Sequence, residues 1–196
     1  ANRIILSRVF PTLIQDCQVL RLAPFFERLR ETLIAMSPRA PLKSHVVLLT
    51  PGPYNETYFE HVYLARYLGL TLVEGEDLSM RNEKVYLKTL KGLRRVDVLF
   101  RRLDDDYCDP LDLKTSSTLG IVGLIQVLLA SNVSVCNAVG SGMLETPAMR
   151  PYLNTIARYF TGEDLRHPSL PTWWCGDASH LAYVEGNLER LLSGPA

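Results

Sequence analysis

Several signatures are missing from the 196-residue sequence, and each absence narrows what the chain does. There is no C-x-x-C pair. Cys17, Cys108, Cys136 and Cys175 are scattered, with no histidine at ligand spacing, so neither a zinc site nor a disulfide framework is expected and a reducing, cytoplasmic setting is the default. There is no net charge: 21 Lys+Arg meet 21 Asp+Glu, which argues against a dedicated nucleic-acid binder or a protein drawn to anionic membranes. The longest apolar runs, such as residues 123–130, fall far short of the roughly 20 residues that span a bilayer. No charged segment followed by an apolar one opens the chain, which begins at Ala1, so a signal peptide is not expected and the chain reads as an excerpt of something longer. Histidine is scarce, no serine or cysteine sits in a nucleophile elbow, and neither a Walker loop nor a G-x-G-x-x-G occurs.

What is present has the composition of a globular domain. With 47% apolar residues, the chain is long enough to bury about 70% of its unfolded surface without staples. Apolar positions from Leu20 to Met36 recur every three to four residues and predict a one-sided helix that Ser37-Pro38 stops. His45 to Leu49 is a short β-branched run suited to a strand buried on both faces, followed by the tight loop Thr50-Pro-Gly-Pro-Tyr-Asn-Glu56. Tyr58 to Leu68 then predicts a helix closed by Gly69. Thr71–Val73, Val96–Phe100 and Val133–Cys136 are further strands, and residues 78–93 predict a small antiparallel excursion with Val85, Leu87 and Leu90 partly buried. Helices are expected over 119–130, around 149–160, and from an Asp177 cap through Leu192, whose trailing residues to Ala196 look like a cut element.

Strands alternating with helices predict an open, mostly parallel α/β sheet with one hairpin insertion. Such sheets bind ligands beyond the carboxyl ends of their strands, which selects three loops. In the first, Gly52 lets backbone approach a ligand at the start of a helix, beside Tyr54 and Asn55, and an anion site and a plain strand-to-helix turn both fit. In the second, Arg101 and Arg102 precede Asp104, Asp105, Asp106 and Asp109. An arginine fork clamps a carboxylate or phosphate, while the acids either bind a divalent ion or hold the arginines in place, the preferred role; a set of salt bridges and loop caps on a solvated rim also fits. In the third, Asn137 to Gly142, the backbone around Gly140 and Gly142 either cradles an anion or only turns a corner. His61 reads as a packed or capping histidine, and Trp173-Trp174 as core or an interface anchor.

At these loops the chain resembles the circularly permuted type 2 ATP-grasp proteins, relatives of glutathionylspermidine synthetase and of other peptide-forming amide ligases. The matching strings are Val-Val-Leu-Leu-Thr-Pro-Gly-Pro-Tyr-Asn-Glu-Thr-Tyr-Phe-Glu-His (46–61), Leu-Val-Glu-Gly-Glu-Asp-Leu (72–78), Val-Asp-Val-Leu-Phe-Arg-Arg-Leu-Asp-Asp-Asp-Tyr-Cys-Asp-Pro (96–110) and Pro-Thr-Trp-Trp-Cys-Gly (171–176). The resemblance implies ATP-dependent ligation, in which ATP with Mg²⁺ phosphorylates a carboxylate and an amine attacks the acyl phosphate. It also implies that the nucleotide-gripping Lys and Gly-rich loop lie beyond Leu192 and that the Mg²⁺-holding residues lie before Ala1, so that this chain alone holds no ATP or metal and is inactive. The chain then corresponds to a Rossmann-like pre-ATP-grasp domain forming one wall of the substrate site. Its expected divisions are an N-terminal helical segment (1–40), the α/β domain (41–165) and an irregular Pro-rich stretch with a C-terminal helix (166–196).

By analogy with permuted glutathione synthetases, the arginine that ends the strand before an acidic loop contacts substrate. Arg101 holds that place and Arg102 is the adjacent alternative. Gly52, Tyr54, Asn55, Asp104, Asp105, Asp106, Asn137, Gly140 and Gly142 are expected to line the site, with no catalytic residue in the chain. The expected partners are the ATP-grasp portion of the same polypeptide and a small carboxylate or peptide, with no nucleic acid and no membrane. The alternative is a stand-alone α/β module for a small anion or a protein.

Overall fold

A computed structural model describes residues 2–192. Three helices lead in: α1 (Asn2–Val9), α2 (Pro11–Asp16) and α3 (Ala23–Ala35). The chain then alternates through β1 (Val46–Leu49), α4 (Tyr58–Leu68) and β2 (Thr71–Val73). Three strands follow in close succession, β3 (Leu78–Arg81), β4 (Lys84–Thr89) and β5 (Gly92–Val96). The alternation resumes with β6 (Val98–Arg101), α5 (Leu124–Leu129) and β7 (Ser134–Cys136), and α6 (Leu153–Thr161) and α7 (Ala178–Glu185) complete the order.

Four strands form a parallel sheet in the order β2-β1-β6-β7, with Leu49 level with Val73 on one side and Arg101 on the other. The remaining three form a separate antiparallel sheet, β3-β4-β5. The continuous apolar run of β1 has the cause anticipated for it, because the strand is covered on both faces. Val46 and Leu48 pack with Leu33 of α3 and Ala65 and Leu68 of α4, whereas Val47 and Leu49 pack with Val85 and Leu87 of β4 and Leu124 and Val127 of α5. The molecule is thus layered: α3 and α4, then the parallel sheet, then the antiparallel sheet with α5. Burying each of these branched side chains stabilises the fold by about 1.5–3 kcal/mol.

The crossover from β1 to β2 runs through α4 on one face, and that from β6 to β7 runs through α5 on the other. Strand order therefore reverses between β1 and β6, which opens a crevice at their carboxyl ends.

The expected excursion over 78–93 is larger than a hairpin and continues to Val96. Val85 and Leu87 are buried as expected, but Leu90 is not: it sits 109% exposed at the tip of the β4–β5 turn. The strand expected over 96–100 divides at Asp97, where the chain passes from one sheet to the other. The helix expected over 119–130 is confined to Leu124–Leu129, since Gly120 and Gly123 shape the approach to it and Gly123 has φ +79°. The segment around 149–160 is a 3-10 turn to Tyr152, containing Pro151, before α6 begins. Asp177 does cap α7, accepting from the amides of Ser179 and His180, but the helix stops at Glu185 and a 3-10 turn, Leu188–Arg190, follows. Residues 193–196 lie outside the described residues. Among those described, no helix is long and apolar enough to cross a membrane.

Candidate functional site

The carboxyl ends of β1, β2, β6 and β7 bring the three loops singled out above to one edge of the parallel sheet, together with Glu74 at the end of β2. The ends are tied by backbone bonds that extend the ladder: Thr50 N–H donates to the Val73 carbonyl at 2.9 Å and Arg102 N–H to that of Leu49 at 2.8 Å.

The loop after β1 does not have the amide inventory of an anion cradle. Pro51 and Pro53 carry no N–H, and the Gly52 amide is turned inward to Thr50 Oγ1 at 3.3 Å. Gly52 needs its freedom here on two counts. Its φ is +98°, and a Cβ would lie 2.8 Å from Glu74 Oε2. Asn55 closes the turn, its N–H donating to the Gly52 carbonyl at 3.1 Å and its Oδ1 receiving the Thr57 amide at 2.9 Å, while Tyr54 stands fully exposed. Beneath the loop, buried His61 of α4 lies between two hydroxyls, with Thr50 Oγ1 2.9 Å from Nδ1 and Thr57 Oγ1 3.2 Å from Nε2. Burial pushes its pKa below the ordinary histidine value, the Arg102 guanidinium pushes in the same direction and Glu60 opposes it.

The adjacent arginines after β6 have different tasks. Arg101 is 9% exposed, and its guanidinium donates to the carbonyls of Leu103, of Asn137 (3.1 Å) and of Ala138 (3.2 Å) while pairing with Asp105. Asp105 in turn accepts the Gly142 amide at 3.0 Å. Arg101 and Asp105 therefore fasten the loop after β6 to the loop after β7, a holding role for Asp105 that the charge pattern suggested. Arg102 is exposed, with its guanidinium carbon 5.4 Å from the centre of the Phe100 ring and no hydrogen-bond or ion-pair partner among the described side chains. Asp104 and Asp106 are exposed at the rim, as are Asn137, Gly140 (φ +89°) and Gly142 on the far side. Asp109 leaves the cluster altogether. It is fully buried, accepting the amides of Leu111 (2.9 Å), Gly123 (3.0 Å) and Ile125 (2.9 Å) at the start of α5.

Two thiols flank this edge without the character of nucleophiles. Burial pushes Cys108 up to about 11 and also raises Cys136, although Arg101 counteracts it at both. Glu74 and the Thr50–His61–Thr57 arrangement are the parts of the edge that the sequence reading did not join together. The four-residue spacing of Thr57 and His61 at the start of a helix was the available signal.

Comparison with known proteins places the whole chain in one family. The family model described as circularly permuted ATP-grasp type 2 matches residues 1–196. The chain belongs to this family. Its relatives include the uncharacterized protein Rv2567 of Mycobacterium tuberculosis, 38% identical over 192 residues, covering 98% of this chain and 22% of that protein. The uncharacterized protein sll0335 of Synechocystis is 35% identical over 191 residues, covering 97% of this chain and 40% of its own length. A second Mycobacterium tuberculosis protein, Rv2411c, also uncharacterized, is 39% identical over 162 residues, or 83% and 29% of the two chains. The chain thus spans well under half the length of these relatives. The family's description names ATP, and with that nucleotide goes a divalent metal. The residues described here do not fit the metal: no group of three or more His, Cys, Asp or Glu side chains converges, and the best-placed acid, Asp105, is committed to Arg101 and Gly142.

Proposed function

We propose that this chain is the substrate-binding, non-catalytic part of an ATP-dependent carboxylate–amine ligase, and that Arg102 holds a small carboxylate or peptide at the carboxyl edge of the parallel sheet. The observation that carries the reading is the contrast between the two arginines. Arg101 is consumed by the loops it fastens, whereas Arg102 keeps its guanidinium free, one residue past β6 and bonded through its backbone to β1, where the strand order reverses. A planar guanidinium with no hydrogen-bond or ion-pair partner among the described side chains, 5.4 Å from the Phe100 ring centre, suits bidentate capture of a carboxylate. In this reading Gly52, Tyr54 and Asn55 line one side of the ligand and Asn137, Gly140 and Gly142 the other, with Asp104 and Asp106 at the rim and Asp105 acting through Arg101. Crossovers on opposite faces support a Rossmann-like pre-ATP-grasp layer. ATP and Mg²⁺ belong to an ATP-grasp portion of the same polypeptide, consistent with the greater length of the relatives. The setting is cytoplasmic, and neither nucleic acid nor membrane is a partner.

Isothermal titration with L-glutamate and with glutathione as carboxylate probes tests the assignment. Losing a charge-assisted bidentate contact is worth about 1.5–3 kcal/mol, so Arg102→Ala should weaken binding by about tenfold or more while leaving the urea midpoint unchanged. Arg101→Ala should instead lower the midpoint. Undiminished binding by the Arg102 variant overturns the reading.

A further inference from the structure

The loop after β1 is held by a chain of hydrogen bonds with only one consistent direction. Asn55 Oδ1 receives the Thr57 amide at 2.9 Å, which identifies that atom as the oxygen of the Asn55 side chain and so as an acceptor only. Thr57 Oγ1 lies 2.6 Å from it and must give it its single proton. The Thr57 oxygen then has only lone pairs to offer His61 Nε2 at 3.2 Å, so Nε2 carries the hydrogen. A neutral imidazole has one N–H, which leaves Nδ1 bare and able to take the hydroxyl proton of Thr50 at 2.9 Å. The Thr50 oxygen, its proton spent, accepts the Gly52 amide at 3.3 Å. The opposite tautomer fails at Thr57, whose one proton would be needed by both Asn55 and Nε2.

We propose that His61 is a positioning residue of the loop, held as the neutral Nε2–H tautomer in a one-way chain from Gly52 to Asn55, and that a second proton on the ring releases the loop. That this loop borders a substrate rests on the function proposed above; the hydrogen-bond chain itself does not. On protonation Nδ1 becomes a donor facing the Thr50 hydroxyl. Thr50 is 1% exposed, so its hydroxyl proton must find another buried acceptor or Thr50 must move, and Gly52 goes with it. The groups facing the ring are the hydroxyls of Thr50 and Thr57, Arg102 from the end of β6, which repels the added charge, and Glu60 on its own helix, which attracts it. The balance of burial and Arg102 against Glu60 keeps the neutral form at pH 7.

The experiment is nitrogen-15 NMR of the histidine-labelled chain with amide exchange at Gly52. At pH 7.5 His61 should show a protonated Nε2 and a bare Nδ1; the reverse pattern, or averaging of the two, overturns the assignment in the wild-type protein whatever any variant does. Thr57→Val should unpin the tautomer and speed Gly52 exchange by about tenfold while Leu48 in β1 stays protected, and Thr57→Ser should restore both. On acidification, Gly52 protection should fall with the midpoint of the His61 titration, and independent midpoints overturn the coupling. No ligand enters these measurements, so their failure leaves the Arg102 assignment standing, and failure of carboxylate binding leaves the chain of bonds intact.

Discussion

Asp97 lies at the opposite edge of the sheet from the candidate site, fully buried and surrounded by donors. Arg39 reaches both of its oxygens at 2.6 Å, Arg95 approaches at 3.2 Å, and the His45 amide donates at 2.8 Å. Removing the acid leaves two partly exposed arginines and the buried His45 amide without their acceptor, so Asp97→Ala should cost about 1–3 kcal/mol in a urea unfolding experiment, and an unchanged midpoint would contradict the arrangement. None of this is visible in Val-Asp-Val, where the acid interrupts an apolar run and its principal partner is 58 residues away. The same limit applies to Arg101 and Arg102. The sequence marks both as strand-end cations, and the family resemblance puts Arg101 first as the substrate contact; the proposal of Arg102 in its place rests on the Asn137 and Ala138 carbonyls that occupy Arg101 across the sheet edge, which no local pattern reports.

Elements whose limits are set by local chemistry were legible, and elements limited by distant backbone were not. β1, β2 and α4 lie where β-branched runs, helical spacing and the left-handed Gly69 place them. The stretch 119–130 has equally good apolar spacing, yet only its second half is helical. Gly120 is pressed against the carbonyls of Tyr107 and Cys108, and Gly75 against those of Leu119 and Gly120, contacts that no periodicity reports. The distinction predicts an order of damage. At Gly69 an added methyl meets open space and only the φ of +66° is strained, a cost of about 1–2 kcal/mol. At Gly120 the methyl would occupy carbonyl oxygens, and the backbone of three segments must part, so Gly120→Ala should lower the thermal midpoint by more than Gly69→Ala does. Equal midpoints for the two variants would refute the close approach.

At the scale of the whole molecule, two buried histidines bracket the parallel sheet. His45 precedes β1 at the Asp97 edge, and His61 lies under the loop that follows β1. Burial lowers both below the usual histidine value. At His45 the carbonyl of Arg95 and the charge of Asp97 oppose the effect, while Arg94 and Arg39 add to it. In the unfolded chain both rings return to about 6.5, so the unfolded state binds more protons than the folded one as pH falls through that value. The stability contributed by keeping these rings neutral is therefore fully present above pH 6.5 and lost on acidification, levelling off once the folded rings also protonate. The lowered carboxyls of Asp164 and Asp177 act in a separate window, contributing above their ordinary value of 3.8 and losing that contribution only as pH falls below it. Urea midpoints measured at intervals from pH 8 to pH 5 should thus hold steady and then decline from about 6.5, before carboxyl titration begins. A flat profile across that interval would mean that the two rings are as free to protonate in the folded molecule as in the unfolded chain, which neither their burial nor the Thr50 and Thr57 hydroxyls around His61 allow.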